Sequence, residues 1–173
     1  MILREPIGLT VLDIFKASER AMSMSDEVWA RHASPWSVWT RFTTLPLFAL
    51  AVWSRAWLGW WALLPVALAV VWVWLNPRVF PAPATFDHWP GRGTRGERLY
   101  LERASVPIPA HHARAATVLT VLSAIGLPPF VYGLWVLDPG WTVAGLALMM
   151  MGKAWFVDRM VWLHADVTGD RPA

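Results

Sequence analysis

No cysteine occurs in the 173 residues. That removes disulfides, thiolate metal sites and cysteine nucleophiles together, and it leaves the redox state of the compartment unread. No cleavable signal is expected either. In MILREPIGLTVLD, Arg4, Glu5 and Pro6 stand where its unbroken apolar core belongs, so the first membrane helix is expected to direct insertion itself. Charge is absent from residues 57–75 and 115–137. An ion or proton path needs polar stations through the bilayer midplane, and these stretches offer only hydroxyls such as Ser123 and Tyr132. Transport by a single copy is therefore not expected.

What the chain does have is apolar length. Residues 56–75, AWLGWWALLPVALAVVWVWL, form an uncharged run of twenty. At about 1.5 Å per helical residue such a run reaches roughly 30 Å, the thickness of a bilayer's hydrocarbon core. Only a helix takes it across, because lipid offers no partner for open backbone groups. The whole chain is 56% hydrophobic with a mean hydropathy of +0.40, above the half that a soluble domain carries. Its size allows one small bundle. The net charge of +3 and a pI of about 10.0 would suit nucleic acid, but in a membrane protein they mark cytoplasmic loops, so no nucleic acid partner is expected.

In chain order, residues 7–22 place Ile7, Val11, Ile14, Phe15 and Met22 against Asp13, Lys16, Glu19 and Arg20. This is an amphipathic segment too polar to span, lying on the membrane surface or packed on the protein's own loops. A short helix follows, opened by Ser25 or Ser23 with Asp26 and Glu27 in its first turn and ended by Pro35. The first span covers about residues 36–54, with Arg41 snorkelling from its start. Pro46 kinks it without ending it, while Thr43 and Thr44 help satisfy the freed carbonyl. After a reversal near Ser54 and Arg55 the second span covers 57–75. A segment with six prolines, six arginines, three acids and three histidines runs from 76 to 114, and only GERLYLERA within it reads as helix. The third span is 115–137 with a kink at Pro128 and Pro129; the fourth is 141–163 after the turn Asp138-Pro139-Gly140, and a polar tail follows from 167.

The expectation is thus an all-α protein: a four-helix transmembrane bundle of two hairpins, residues 25–166, behind an N-terminal amphipathic interfacial helix in residues 1–24. Of fifteen lysines and arginines only Arg55 falls on the far side. The positive-inside rule then places both termini and the 76–114 loop in the cytoplasm, with the chain in the cell's inner membrane. Of the fourteen tryptophans twelve fit two interfacial belts, Trp53, Trp57, Trp60, Trp61, Trp135 and Trp141 toward the outside and Trp36, Trp39, Trp72, Trp74, Trp155 and Trp162 toward the inside; Trp29 and Trp89 lie outside the spans. VWVWLNP and RMVWLHAD close the two hairpins alike, a weak sign of internal duplication.

Chemistry is left to a polar layer at the cytoplasmic interface, which also contains Glu102, His164 and Asp166. His32, His111, His112, Glu97 and Asp158 are candidate metal ligands or acid/base groups; Arg41, Lys153 and Arg159 are candidate anion or headgroup binders. A haem held by His32 and His111 or His112 is a further alternative. Against these stands the plainer account in which Arg41 and Lys153 snorkel, Asp158 pairs with Arg41 or a loop arginine, and the histidines cap helix entrances. Five histidines are too few for the HxxHH boxes of membrane desaturases and hydroxylases.

The runs EVWARHASPWSVWTRF (27–42), NPRVFP (76–81), GER (96–98), PAHH (109–112) and GKAWFVDRMVWL (152–163) together resemble a family of small bacterial and archaeal polytopic membrane proteins known only as a domain of unknown function. The resemblance spans residues 25–166 and departs at Ser34, where the family pattern has Asn. It implies four spans and no activity, and so transfers no catalytic residue. Two functions follow as expectations: an accessory or binding membrane protein that packs on another membrane protein or on its own copy, or a small membrane enzyme or metal- or anion-binding protein using the cytoplasmic layer.

Overall fold

A computed structural model describes residues 21–103 and 105–170, and among these every element is helical. The amphipathic helix expected over residues 7–22 lies almost wholly outside the described residues. The first described helix, α1 (Asp26–His32), is capped by Ser25, whose hydroxyl accepts from the Val28 amide at 3.3 Å, with Asp26 and Glu27 in its first turn. Helix α2 (Pro35–Trp53) runs through Pro46 unbroken. The Thr43 and Thr44 hydroxyls both donate to the Thr40 carbonyl, at 2.8 and 3.1 Å, and not to the carbonyl that Pro46 frees.

Three helical stretches are long and apolar enough to cross a membrane: Pro35–Val79, Ala110–Val136 and Pro139–Thr168. The first of them is not one rod. After α2 come a helical turn, α3 (Arg55–Leu58), a 3₁₀ turn at Gly59–Ala62, and then α4 (Leu63–Val79). The bend sits at Gly59, whose φ of 56° with ψ of −131° is open to glycine and strained for other residues. Along a continuous helix Ser37 and Asn76 would stand about 58 Å apart. Instead the Ser37 hydroxyl donates to Asn76 Oδ1 at 2.9 Å, and Asn76 Nδ2 donates to Thr40 Oγ1 at 2.7 Å. The stretch is a hairpin latched at its open end by a fully buried asparagine. Helix α4 runs past the expected end of the span at residue 75 and continues two residues beyond Pro77.

Between the hairpins lies α5 (Trp89–Leu101), which starts seven residues earlier than GERLYLERA suggests. Gly91 and Gly93 have poor helix propensity, and packing overrides it. A Cβ on Gly96 would fall 1.8 Å from the Met160 carbonyl oxygen, so glycine is what lets α5 lie against its partner helix, α8. The second hairpin is α6 (Ala110–Ile125) with α7 (Leu127–Val136), then α8 (Pro139–Thr168). The break falls at Gly126, with Pro128 in the first turn of the new helix; Pro128 and Pro129 have no N–H with which to continue the hydrogen-bond ladder of α6. Asp138 caps α8 by accepting from the Trp141 amide at 2.9 Å.

Helix α8 is the common wall, packed by α5, α6 and α7. Tyr100, Ala116, Leu119, Phe156, Val157, Met160 and Leu163 form the core at its C-terminal half. At the other end Ala49, Phe130 and Leu134 join the two hairpins. There Trp53 Nε1 donates to Thr142 Oγ1 at 3.3 Å and Arg55 to the Leu134 carbonyl at 2.6 Å, so both tight reversals lie at one end of the molecule. Around α4 the surface is apolar nearly throughout, with Leu63, Leu64, Leu68, Val70, Val71 and Val73 exposed.

Candidate functional site

The end opposite the reversals gathers the polar groups. Arg31 of α1 donates to the Arg78 carbonyl at 3.1 Å, and Arg98 of α5 pairs with Asp26, so α1, the end of α4 and α5 meet there. Arg41 is engaged within the fold. It turns back along α2, where Nε donates to the Ser37 carbonyl at 3.3 Å, Nη2 to the His32 carbonyl at 3.2 Å and Nη1 to His32 Nε2. An accepting Nε2 requires a neutral imidazole. Consistently, burial first and then the Arg41 and Lys153 charges hold His32 well below the ordinary histidine range.

In front of Arg41 opens a cavity of about 250 Å³ lined by Val38, Phe42, Leu45, Thr94, Glu97, Ser123, Met149, Met150, Lys153 and Val157 as well as Arg41. It lies between α2, α5, α6 and α8, where the two hairpins touch only lightly. Lys153 Nζ stands 3.4 Å from Glu97 Oε1. Two cations and one carboxylate give the polar rim a net charge of one positive unit, above walls of methionine, leucine, valine and phenylalanine. Such a chamber suits a single negative charge on an apolar body.

The other candidates lie elsewhere. Asp158 meets neither Arg41 nor a loop arginine: it accepts from Trp89 Nε1 at 3.0 Å, and Trp89 stacks on Trp39 with ring centroids 5.7 Å apart. Arg159 is half-buried and its Nε lacks a partner. His111 and His112, in the first turn of α6, come together with Asp166 in the last turn of α8, their ligating atoms within 4.8 Å of one another. Asp166 is about 20 Å further along α8 than Lys153. The residues first considered as a single metal set are therefore spread over two levels, with His32 and Glu97 around Arg41 and Lys153, and His111 and His112 near the end of α8.

Two features had no counterpart in the sequence reading. One is the Ser37–Asn76–Thr40 latch. The other is Arg92, buried in α5 yet paired with Asp87 and with Asp170 at 3.6 Å. The Arg92 hydrogen bond and charge hold the Asp87 carboxyl below its usual range. A buried arginine inside GRGTRG was the available signal, since glycines on both sides mark a close helix approach.

Residues 14–173 match the model of a family described as a family of unknown function, DUF6653. The match begins inside the segment treated above as an extension. No curated protein and no solved structure matches the chain.

Proposed function

The chain belongs to DUF6653, a family of unknown function, and we propose that it is a four-span membrane protein that binds the anionic end of a lipid-like molecule in the cavity between its hairpins. The apolar surface of the three membrane-length stretches supports the membrane setting: only 6% of the apolar window in Pro35–Val79 is buried, an exposure that water would oppose strongly and lipid would not. Counting the latched hairpin as two crossings gives four. The distribution of lysine and arginine then puts α1, α5 and the end of α8 on the cytoplasmic side of the inner membrane.

The cavity carries the binding reading. Lys153 lies fourteen residues past Pro139, about 21 Å along α8, and so inside a hydrocarbon core about 30 Å thick on its cytoplasmic side. At that depth Arg41 and Lys153 are costly unless they are partnered. Glu97 cancels one of the two charges and an anionic ligand would cancel the other. At about 250 Å³ the cavity is below the roughly 300–1,000 Å³ that encloses a whole small molecule. It would hold a headgroup or carboxylate and leave the tail in the bilayer. The Ser123 hydroxyl at the cavity donates to the Met149 carbonyl at 3.1 Å and not to a base, and Lys153 is engaged by Glu97, so binding is favoured over catalysis as its role.

The test is lipid retention. The full chain is purified in mild detergent and the co-purifying lipid quantified by mass spectrometry, beside Arg41→Gln and Lys153→Gln. Retention of about one anionic lipid per chain, lost at least several-fold in both variants while they remain monodisperse, is expected. Equal retention in all three would refute the reading.

A further inference from the structure

We propose that His111, His112 and Asp166 form a binding site for a divalent transition-metal ion, separate from the cavity. The sequence delivers the pair of imidazoles in one way. Helix α5 ends at Leu101, Pro109 takes the N-cap position of α6, and the His112 amide bonds back to the Pro109 carbonyl at 3.0 Å. Both rings are thereby fixed in the first turn of α6, their centroids 4.1 Å apart. Helix α8 overruns the span by more than a turn and brings Asp166 to them.

His112 Nε2 stands 2.8 Å from Asp166 Oδ2 and His111 Nε2 3.7 Å from the same oxygen. Ligands on a tetrahedral ion with bonds of about 2.0–2.1 Å sit roughly 3.3–3.4 Å apart. The two separations to Asp166 bracket that figure and all three ligating atoms lie within 4.8 Å of one another, so side-chain shifts of up to about 1.5 Å complete the site. Two imidazole nitrogens with one carboxylate oxygen select an ion such as Zn²⁺ or Co²⁺ over Ca²⁺ or Mg²⁺, which prefer oxygen throughout. Three protein ligands leave a position for water, and the site is open to it: the His111 and Asp166 side chains are 64% and 38% exposed, while His112 at 1% anchors the inner side. Lying about 40 Å along α8 from Asp138, the site falls in the polar cap, where it would tie the entrance of α6 to the exit of α8.

A hydrogen bond between His112 and Asp166 explains two of the three residues without an ion. It gives no role to His111, which is exposed, further from the carboxylate, and dispensable for that bond. His111→Ala therefore separates the accounts, and Asp166→Asn, which preserves shape, is the second variant. The tag-free full chain in detergent is titrated with Co²⁺ while visible absorption is followed, and Zn²⁺ is then added in competition. One Co²⁺ per chain, displaced by Zn²⁺, with at least tenfold weaker binding in each variant and unchanged helix content, is expected. Absence of stoichiometric binding, or equal affinity in the parent and His111→Ala, overturns the site.

Discussion

His32 and Arg41 show how one contact constrains chemistry at a single residue. Because Arg41 donates to Nε2, protonating the ring would set two cations against each other with Lys153 also nearby. The folded ring titrates below the 6.5 of an unfolded histidine, so the unfolded chain takes up the proton first. The contribution of His32 to stability is complete above pH 6.5 and is lost as pH falls from there toward the folded value, at up to about 1.4 kcal/mol per pH unit. Melting the parent and His32→Gln in detergent at about pH 7.5 and about pH 5 isolates this from the other histidines. The parent should lose more of its melting temperature on acidification than the variant. Identical losses would mean that the ring already tolerates its proton in the fold.

Among the helices, glycine positions decide how closely α5 and α8 approach. Alanine in place of Gly96 gains helix propensity of about 1 kcal/mol, but its methyl group would meet the Met160 backbone oxygen at 1.8 Å, which no side-chain rotation relieves. At Gly93 the nearest atom is a Val157 methyl at 2.7 Å, with the nearest backbone atom at 3.4 Å, so a side chain and not the backbone has to give. Gly96→Ala should destabilise by about 1–3 kcal/mol, as overpacked cores do, and Gly93→Ala by clearly less. The reverse order in thermal melts would show that α5 does not rest on α8 through Gly96. The same glycines mark where sequence reading stopped. The apolar runs, the capping serine of α1, the turn at Asp138 and the reversal near Ser54 were legible because each is written in neighbouring residues. Helix α5 was half missed because its stability lies in a surface some sixty residues away. The site was legible as a list of costly residues but not as pairs. Lys153 with Glu97, and His112 with Asp166, are joined across 56 and 54 residues, and spacing within one helix carries no trace of such partners.

For the molecule as a whole, the decisive question is how many times it crosses. Read by length alone, Pro35–Val79 counts once and the chain crosses three times; α1 and α5 would then lie on opposite sides of the membrane. The structure joins them, through Arg98 with Asp26 and Arg31 with the Arg78 carbonyl, and neither contact survives a bilayer between the partners. On the proposed four crossings, α1, α5 and the end of α8 lie together and both reversals on the other face. The lack of cysteine makes this measurable, since any introduced thiol is the sole target. Glu27→Cys and Ser105→Cys should resist an impermeant maleimide in intact cells and react after lysis, whereas Trp60→Cys, 86% exposed in the first reversal, should react without lysis. If Glu27→Cys and Ser105→Cys label from opposite sides, the hairpin is a single span. The Arg41 and Lys153 chamber would then lose its shared leaflet, and the lipid-binding role would fail with it.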